Sequence, residues 1–130
     1  RAAGVADSLN YIYSHETGTT DDGSAMEPFI ESSVFSIGDG EQFSFISRLI
    51  PDIDIASSEA TTSVNYVLKS RNFPGESLST NSTSAVTSTT DQAFVRSRSR
   101  STVLRVESSA SDIQWTLGDL RLDIRPDGRR

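Results

Sequence analysis

Three observations predict an all-β fold, an antiparallel β-sandwich or barrel of about seven short strands with long loops. Apolar residues recur at every second position, and no segment carries the three-to-four spacing of a helix. Turn-forming Gly, Pro, Asn and Asp punctuate the chain throughout. Hydrophobic residues make up 35% of the 130 positions, enough to cover one face of each strand. A chain of this length forms one domain, residues 1–130, with a core of its own.

Residues 8–13 (Ser-Leu-Asn-Tyr-Ile-Tyr) read as a first strand, rich in β-formers. Residues 14–28 form an acidic loop containing the Asp21-Asp22-Gly23 turn. Residues 29–37 are a second strand. The Gly38-Asp39-Gly40 turn is expected to make a hairpin with a third strand over 42–49, where Phe43 and Phe45 alternate. Pro51 ends that strand or marks it as an edge. Asp52-Ile53-Asp54-Ile55 alternates as a short strand, and residues 63–70 form another, stopped by Asn72-Phe73-Pro74-Gly75. Residues 76–90 are dominated by Ser and Thr and have few hydrophobes, which predicts a long exposed loop. A strand from about Gln92 to Glu107 follows. Ile113, Trp115 and Leu117 then share one face, and Leu120, Leu122 and Ile124 alternate with Arg121, Asp123 and Arg125 before the Pro126-Asp127-Gly128 turn.

The most distinctive strand is that of residues 92–107, because Arg96, Arg98 and Arg100 recur at every second position. Three guanidinium groups in a row repel one another and need water, carboxylates or a polyanion beside them. They are the candidate subunit-interface or polyanion-facing residues. Phe94, Thr102, Leu104 and Val106 extend the same face, so an apolar end of it is expected to join the core. The bland reading is a row in solvent, or one paired with acids on a neighbouring strand. The functional reading is contact with nucleic acid or with an acidic face of another subunit. The aromatic interleaving of a single-strand binder is missing.

Charge is unevenly spread. The net charge is −6, with −9 on residues 1–65 and +3 on residues 66–130. Opposed halves can neutralise each other within the fold or between copies. A globally acidic chain is poorly suited to indiscriminate DNA binding. Eleven of the 12 basic residues are Arg, which suits fixed pairing with carboxylates or phosphates. Cysteine is absent, which excludes disulfides and thiolate metal sites. No apolar run is long enough to cross a membrane as a helix, and no signal peptide is visible, so no membrane anchor is expected. The chain starts at Arg1, which points to a processed chain or to part of something longer.

Catalytic and metal signatures are sparse. His15, the single histidine, lies beside Glu16 and upstream of Asp21 and Asp22; a lone His is a poor zinc site, and the acids lack EF-hand spacing. A structural bond for His15 is the better reading. No Gly-x-Ser-x-Gly elbow, phosphate loop or selected carboxylate pair occurs, so no enzyme activity and no cofactor is expected. Trp115 reads as a core anchor, with a sugar-stacking platform as its functional alternative.

Several stretches resemble one family. Tyr13-Ser14-His15-Glu16-Thr17-Gly18-Thr19-Thr20-Asp21-Asp22 resembles a Tyr-x-His-Glu-x-Gly-x-Asp stretch of tail proteins from short-tailed bacteriophages. Ile30-Glu31-Ser32-Ser33, Ile37-Gly38-Asp39-Gly40-Glu41 and Arg48-Leu49-Ile50-Pro51-Asp52 are similar to segments that follow in those proteins. The most specific piece is residues 115–130, which resembles the family's carboxyl terminus, Trp-Thr-Leu-Gly-Asp-Leu-Arg-Leu-Asp-Ile-Arg-Pro-Asp-Gly-Arg-Arg. The resemblance covers nearly the whole chain from Tyr11 and is least distinctive in the Ser/Thr-rich stretch.

These relatives are virion structural proteins, described as tail hub, nozzle or packaged-DNA stabilisation proteins, and are much longer. The resemblance therefore implies a carboxyl-terminal region of a tail protein in the virion. It further implies a homo-oligomeric ring, typically a hexamer, around the channel through which genomic DNA passes without specific reading. Other tail and adaptor proteins would be its partners. No catalytic motif comes with the family. The alternative function is a carbohydrate-binding β-sandwich module for host-surface recognition, and a weaker one is a hydrolase.

Overall fold

The computed structural model describes residues 3–6, 11–14, 17–57 and 62–129. Their strands are β1 (Ala3–Ala6), β2 (Tyr11–Ser14), β3 (Thr20–Asp21), β4 (Ser24–Ala25), β5 (Phe29–Glu31), β6 (Ser44–Ile50), β7 (Ile53–Ser57), β8 (Val64–Arg71), β9 (Ser79–Val86), β10 (Ala93–Ser99), β11 (Ser101–Glu107), β12 (Ile113–Leu117) and β13 (Arg121–Pro126). The all-β expectation holds: among the described residues there is no helix, and every strand pairing is antiparallel. Eleven strands are three residues or longer, where about seven were expected.

The architecture is sandwich-like. One sheet has the order β10-β6-β13 and the other β5-β11-β8-β9. Inward residues of both fuse into one core: Ile46 and Leu49 from β6, Val95 from β10, Val64, Tyr66 and Leu68 from β8, Val86 from β9, and Leu104 and Val106 from β11. The β7-β12 ribbon closes one side, where Ile53, Ile55, Trp115 and Leu117 pack against that core. Ile46 and Leu49 are three residues apart, yet both point inward. Both ladders of β6 shift register around Ser47, and that irregularity resets the alternation.

Of the strand expected over 8–13, residues 11–13 fall in β2, which pairs with Ala3–Ala6, and residues 8–10 lie outside the described residues. Four other sequence expectations need correction. The Gly38-Asp39-Gly40 turn forms, but no hairpin does. β5 joins β11 while β6 joins β10 and β13, so the turn carries the chain from one sheet to the other. The strand expected over 29–37 ends at Glu31; beyond it the chain meets β11 through the Ser32 N–H bond to Leu104 O and at the Phe35–Thr102 bridge.

The stretch 76–90, expected to be a loop, contains the eight-residue strand β9. Thr is a good strand former, and small Ser and Thr side chains suit an outer strand whose other face is wet. Ser82, Ser84 and Val86 are the more buried residues on alternate positions, so the period of two was present without the hydrophobicity that usually announces it.

The strand expected over 92–107 is two strands in two sheets. A bend at Arg100 hands the chain from β10, paired with β6, to β11, paired with β8 and β5. Across the bend the even-numbered residues change sides: Phe94, Arg96 and Arg98 are exposed, whereas Thr102, Leu104 and Val106 are buried. The apolar continuation therefore reaches the core only beyond Arg100. At the other end of the row, Phe94 stands in solvent, 77% exposed.

Candidate functional site

β10 alternates perfectly between small buried residues and large exposed ones. Ala93, Val95, Ser97 and Ser99 face inward beneath Phe94, Arg96 and Arg98. Sequence reasoning singled out the arginines and passed over the serines between them. Those serines form a buried polar seam at the switch between sheets. Asn81 Nδ2 donates to Ser97 Oγ at 2.9 Å, the Ser99 and Thr102 hydroxyls share a bond of 2.9 Å, and Ser44 Oγ donates to Ser99 O at 2.9 Å. Each buried hydroxyl is thereby satisfied, which keeps the seam from costing the desolvation of a lone polar group.

The arginine row does not act as a unit. Arg96 is exposed and makes no ion pair among the described residues. Arg98 bonds the Asp127 carboxylate at 2.5 Å and the Asp127 carbonyl at 3.1 Å, and its guanidinium lies 4.0 Å from the centre of the Phe43 ring. Arg100 donates to Arg129 O at 3.2 Å and sits between the Phe43 and Phe73 rings, at 5.0 and 5.6 Å. Its Nε, like that of Arg71, is buried without an acceptor among the described residues.

Two of the three arginines thus hold the carboxyl-terminal segment, which also continues along β6 through Asp127 N–H to Phe43 O at 2.8 Å and Phe43 N–H to Gly128 O at 2.7 Å. Repulsion along the row is relieved by Asp127 and by two aromatic faces, each cation–π contact contributing about 0.5–1 kcal/mol at such exposed positions. Phe43, Phe73 and Asp127 were not legible as partners, because 27 to 57 residues separate them from the arginines they meet and nothing local marks them.

The opposed charge of the two halves is used inside the chain. Glu31 accepts from Lys69 Nζ at 2.6 Å and from Arg105 at 3.3 Å, and Glu41 lies 3.9 Å from Arg129. Arg48 from the first half bonds Asp123 from the second at 2.5 Å. The Lys69 hydrogen bond first, and then Arg105, hold the Glu31 carboxyl below the usual carboxylate range despite the opposing effect of burial. A lowered folded-state pKa means that Glu31 stabilises the fold above that range and ceases to do so as pH falls through it.

The remaining candidates are placed as follows. His15 and Glu16 lie outside the described residues. Asp22 and Gly23 both have positive φ, 48° and 83°, so the acidic turn is the tight primed kind joining β3 to β4. No group of three or more His, Asp or Glu that could hold a metal occurs among the described residues. Trp115 packs against the core and donates from Nε1 to Ser108 Oγ at 3.0 Å, an anchor's position. A cleft of about 650 Å³ opens between the β3-β4 turn region and Ile113 and Gln114, lined by Asp21, Met26 and Glu27 among others. No helix among the described residues is long and apolar enough to cross a membrane.

No protein-family model matches the chain, and no curated protein matches it.

Proposed function

We propose that this chain is a non-enzymatic structural subunit of a short-tailed phage tail, a nozzle or hub protein that assembles as a ring around the DNA exit channel. The observation that carries this reading is the resemblance of residues 115–130 to the carboxyl terminus of that family. In the fold this stretch is an integral part of the sandwich: it supplies the end of β12 and all of β13, and its Asp127 and Arg129 are held by Arg98 and Arg100. Its role on this reading is geometric and electrostatic. Acidic surface from the first half and basic surface from the second meet between copies or against adaptor proteins, and a net-acidic lumen lets DNA slide rather than bind.

On this account Arg96, Arg98 and Arg100 face protein or solvent, since Arg98 and Arg100 are already engaged by the chain's own end. A structure of the assembled tail tests it: the three guanidinium groups away from the lumen is the expected result, and all three pointing into it would refute the proposal. The carbohydrate-binding alternative needs an exposed aromatic platform, and Trp115, bonded to Ser108 and packed on the core, fits that role poorly.

A further inference from the structure

The two sheets meet along β9 and β10, which lie side by side. On the opposite side each sheet ends in a strand with no outer ladder partner among the described residues: β5 in one and β13 in the other. Such an edge offers a row of unpaired N–H and C=O groups to another strand. Both edges also expose apolar side chains, Met26, Phe29 and Ile30 at β5 and Leu120 and Ile124 at β13. Their charges are opposite: Glu27 and Glu31 at β5, Arg121 and Arg125 at β13, all four exposed.

We propose that β5 of one copy pairs with β13 of a second copy as a parallel ladder, with Glu27 opposite Arg121, Phe29 opposite Asp123 and Glu31 opposite Arg125. The direction follows from which way the backbone turns. Pro28 O and Ser32 N–H both bond toward β11, so strand alternation turns the N–H and C=O of Phe29 and Glu31 outward. Asp127 N–H bonds toward β6, so the groups of Asp123 and Arg125 turn inward and those of Leu122 and Ile124 outward. In a parallel ladder an outward-turned residue lies opposite one turned away, and the two share a face. Glu31, which meets Lys69 and Arg105, and Asp123, which meets Arg48, then continue one charged outer face.

The inner face matches as well, since the same register sets Met26 opposite Leu120 and Ile30 opposite Ile124, apolar against apolar. A slip of two residues either way places Glu27 and Glu31 opposite Asp119 and Asp123, or opposite Asp123 and Asp127, and like charges directly opposed are destabilising. Because the two edges differ, the contact is head-to-tail, and its repetition closes into a ring or runs on as a filament. The inference deepens the ring reading, on which it rests, by naming the surfaces that meet.

The chain has no cysteine, so a disulfide can only join introduced ones. Equal amounts of Ile30→Cys and Ile124→Cys chains are mixed under mild oxidation, and the mass of the unoxidised mixture is followed by light scattering. A mixed disulfide is expected, with little from Ile30→Cys and Leu120→Cys, which lie about 13 Å out of register along the strand. In parallel, Glu27→Arg is expected to weaken association about tenfold, and mixing it with Arg121→Glu to restore it. Chains that associate without the Ile30–Ile124 disulfide, or that show no charge rescue, overturn the edge pairing and leave the ring reading standing. Chains that stay monomeric at every concentration overturn both.

Discussion

At the residue scale the tightest fit is at Gly118. Its N–H donates to Asp52 O at 2.8 Å, and the next N–H, of Asp119, donates to Asp52 Oδ2 at 3.1 Å. A Cβ at position 118 would run into the Asp52 carboxylate. Gly118→Ala is therefore expected to destabilise the fold by about 1–3 kcal/mol, the usual range for forced overpacking. In an Asp52→Ala background the same change should cost clearly less, because the colliding group is gone; denaturant titration of the four chains measures both.

Tyr66 offers a second residue-scale test. Its ring is fully buried, its hydroxyl has no partner among the described residues, and burial first, then the Asp52 carboxylate, push that hydroxyl up to about 12. An unfolded tyrosine titrates near 10, so between about pH 10 and 12 the folded chain keeps a proton that the unfolded chain releases. Stability is thus complete below pH 10 and falls through that window by about 1.4 kcal/mol per pH unit. Tyr66→Phe should remove this fall while leaving stability at neutral pH equal or higher, since it deletes an unsatisfied hydroxyl. Denaturation midpoints at pH 9 to 12 for the two chains provide the measurement.

At the element scale β9 separates strand from loop. Val86 at its end is completely buried between the sheets. Val86→Ala is expected to cost about 2 kcal/mol, from lost burial and the cavity left behind, whereas the same change in an exposed loop would stay within about 0.5 kcal/mol. Thermal or denaturant unfolding distinguishes the two.

This strand also shows where sequence stops being legible. Period-two patterning identified the segments that became β6, β7, β8, β12 and β13, because apolar residues alternate with other residues along at least part of each. β9 turns half-buried Ser82 and Ser84 inward and buries an apolar residue only at its end, Val86, while Thr80 and Thr83 are exposed; its strand character comes from the neighbours that receive it. The split of the arginine strand was hidden for a related reason. Alternation runs unbroken through Arg100, and only pairing with two different sheets reveals that a side chain at Arg98 and one at Leu104 serve opposite faces. Of the candidate site, the arginine alternation was legible; the partners that neutralise it, Phe43, Phe73 and Asp127, are tertiary and were not.

At the scale of the whole molecule, β9 and β10 lie side by side while β5 and β13 have no outer ladder partner among the described residues, and the proposed pairing sets the carboxylates Glu27 and Glu31 of one edge against Arg121 and Arg125 of the other. Several arginines are engaged within the chain, Arg105 with Glu31, Arg98 with Asp127 and Arg100 with the carbonyl of Arg129. That leaves Arg121 and Arg125 as the basic groups best placed to meet an acidic neighbour. Assembly held partly by such charges should weaken as salt rises.

The central claim is that the chain works as a subunit of a closed ring. The most direct test is the mass of the particle it forms, measured by light scattering across concentration and accompanied by a low-resolution image. A discrete multiple of the 14.1 kDa chain, seen as a ring and loosened by salt, is the predicted result. A monomer at every concentration would contradict it.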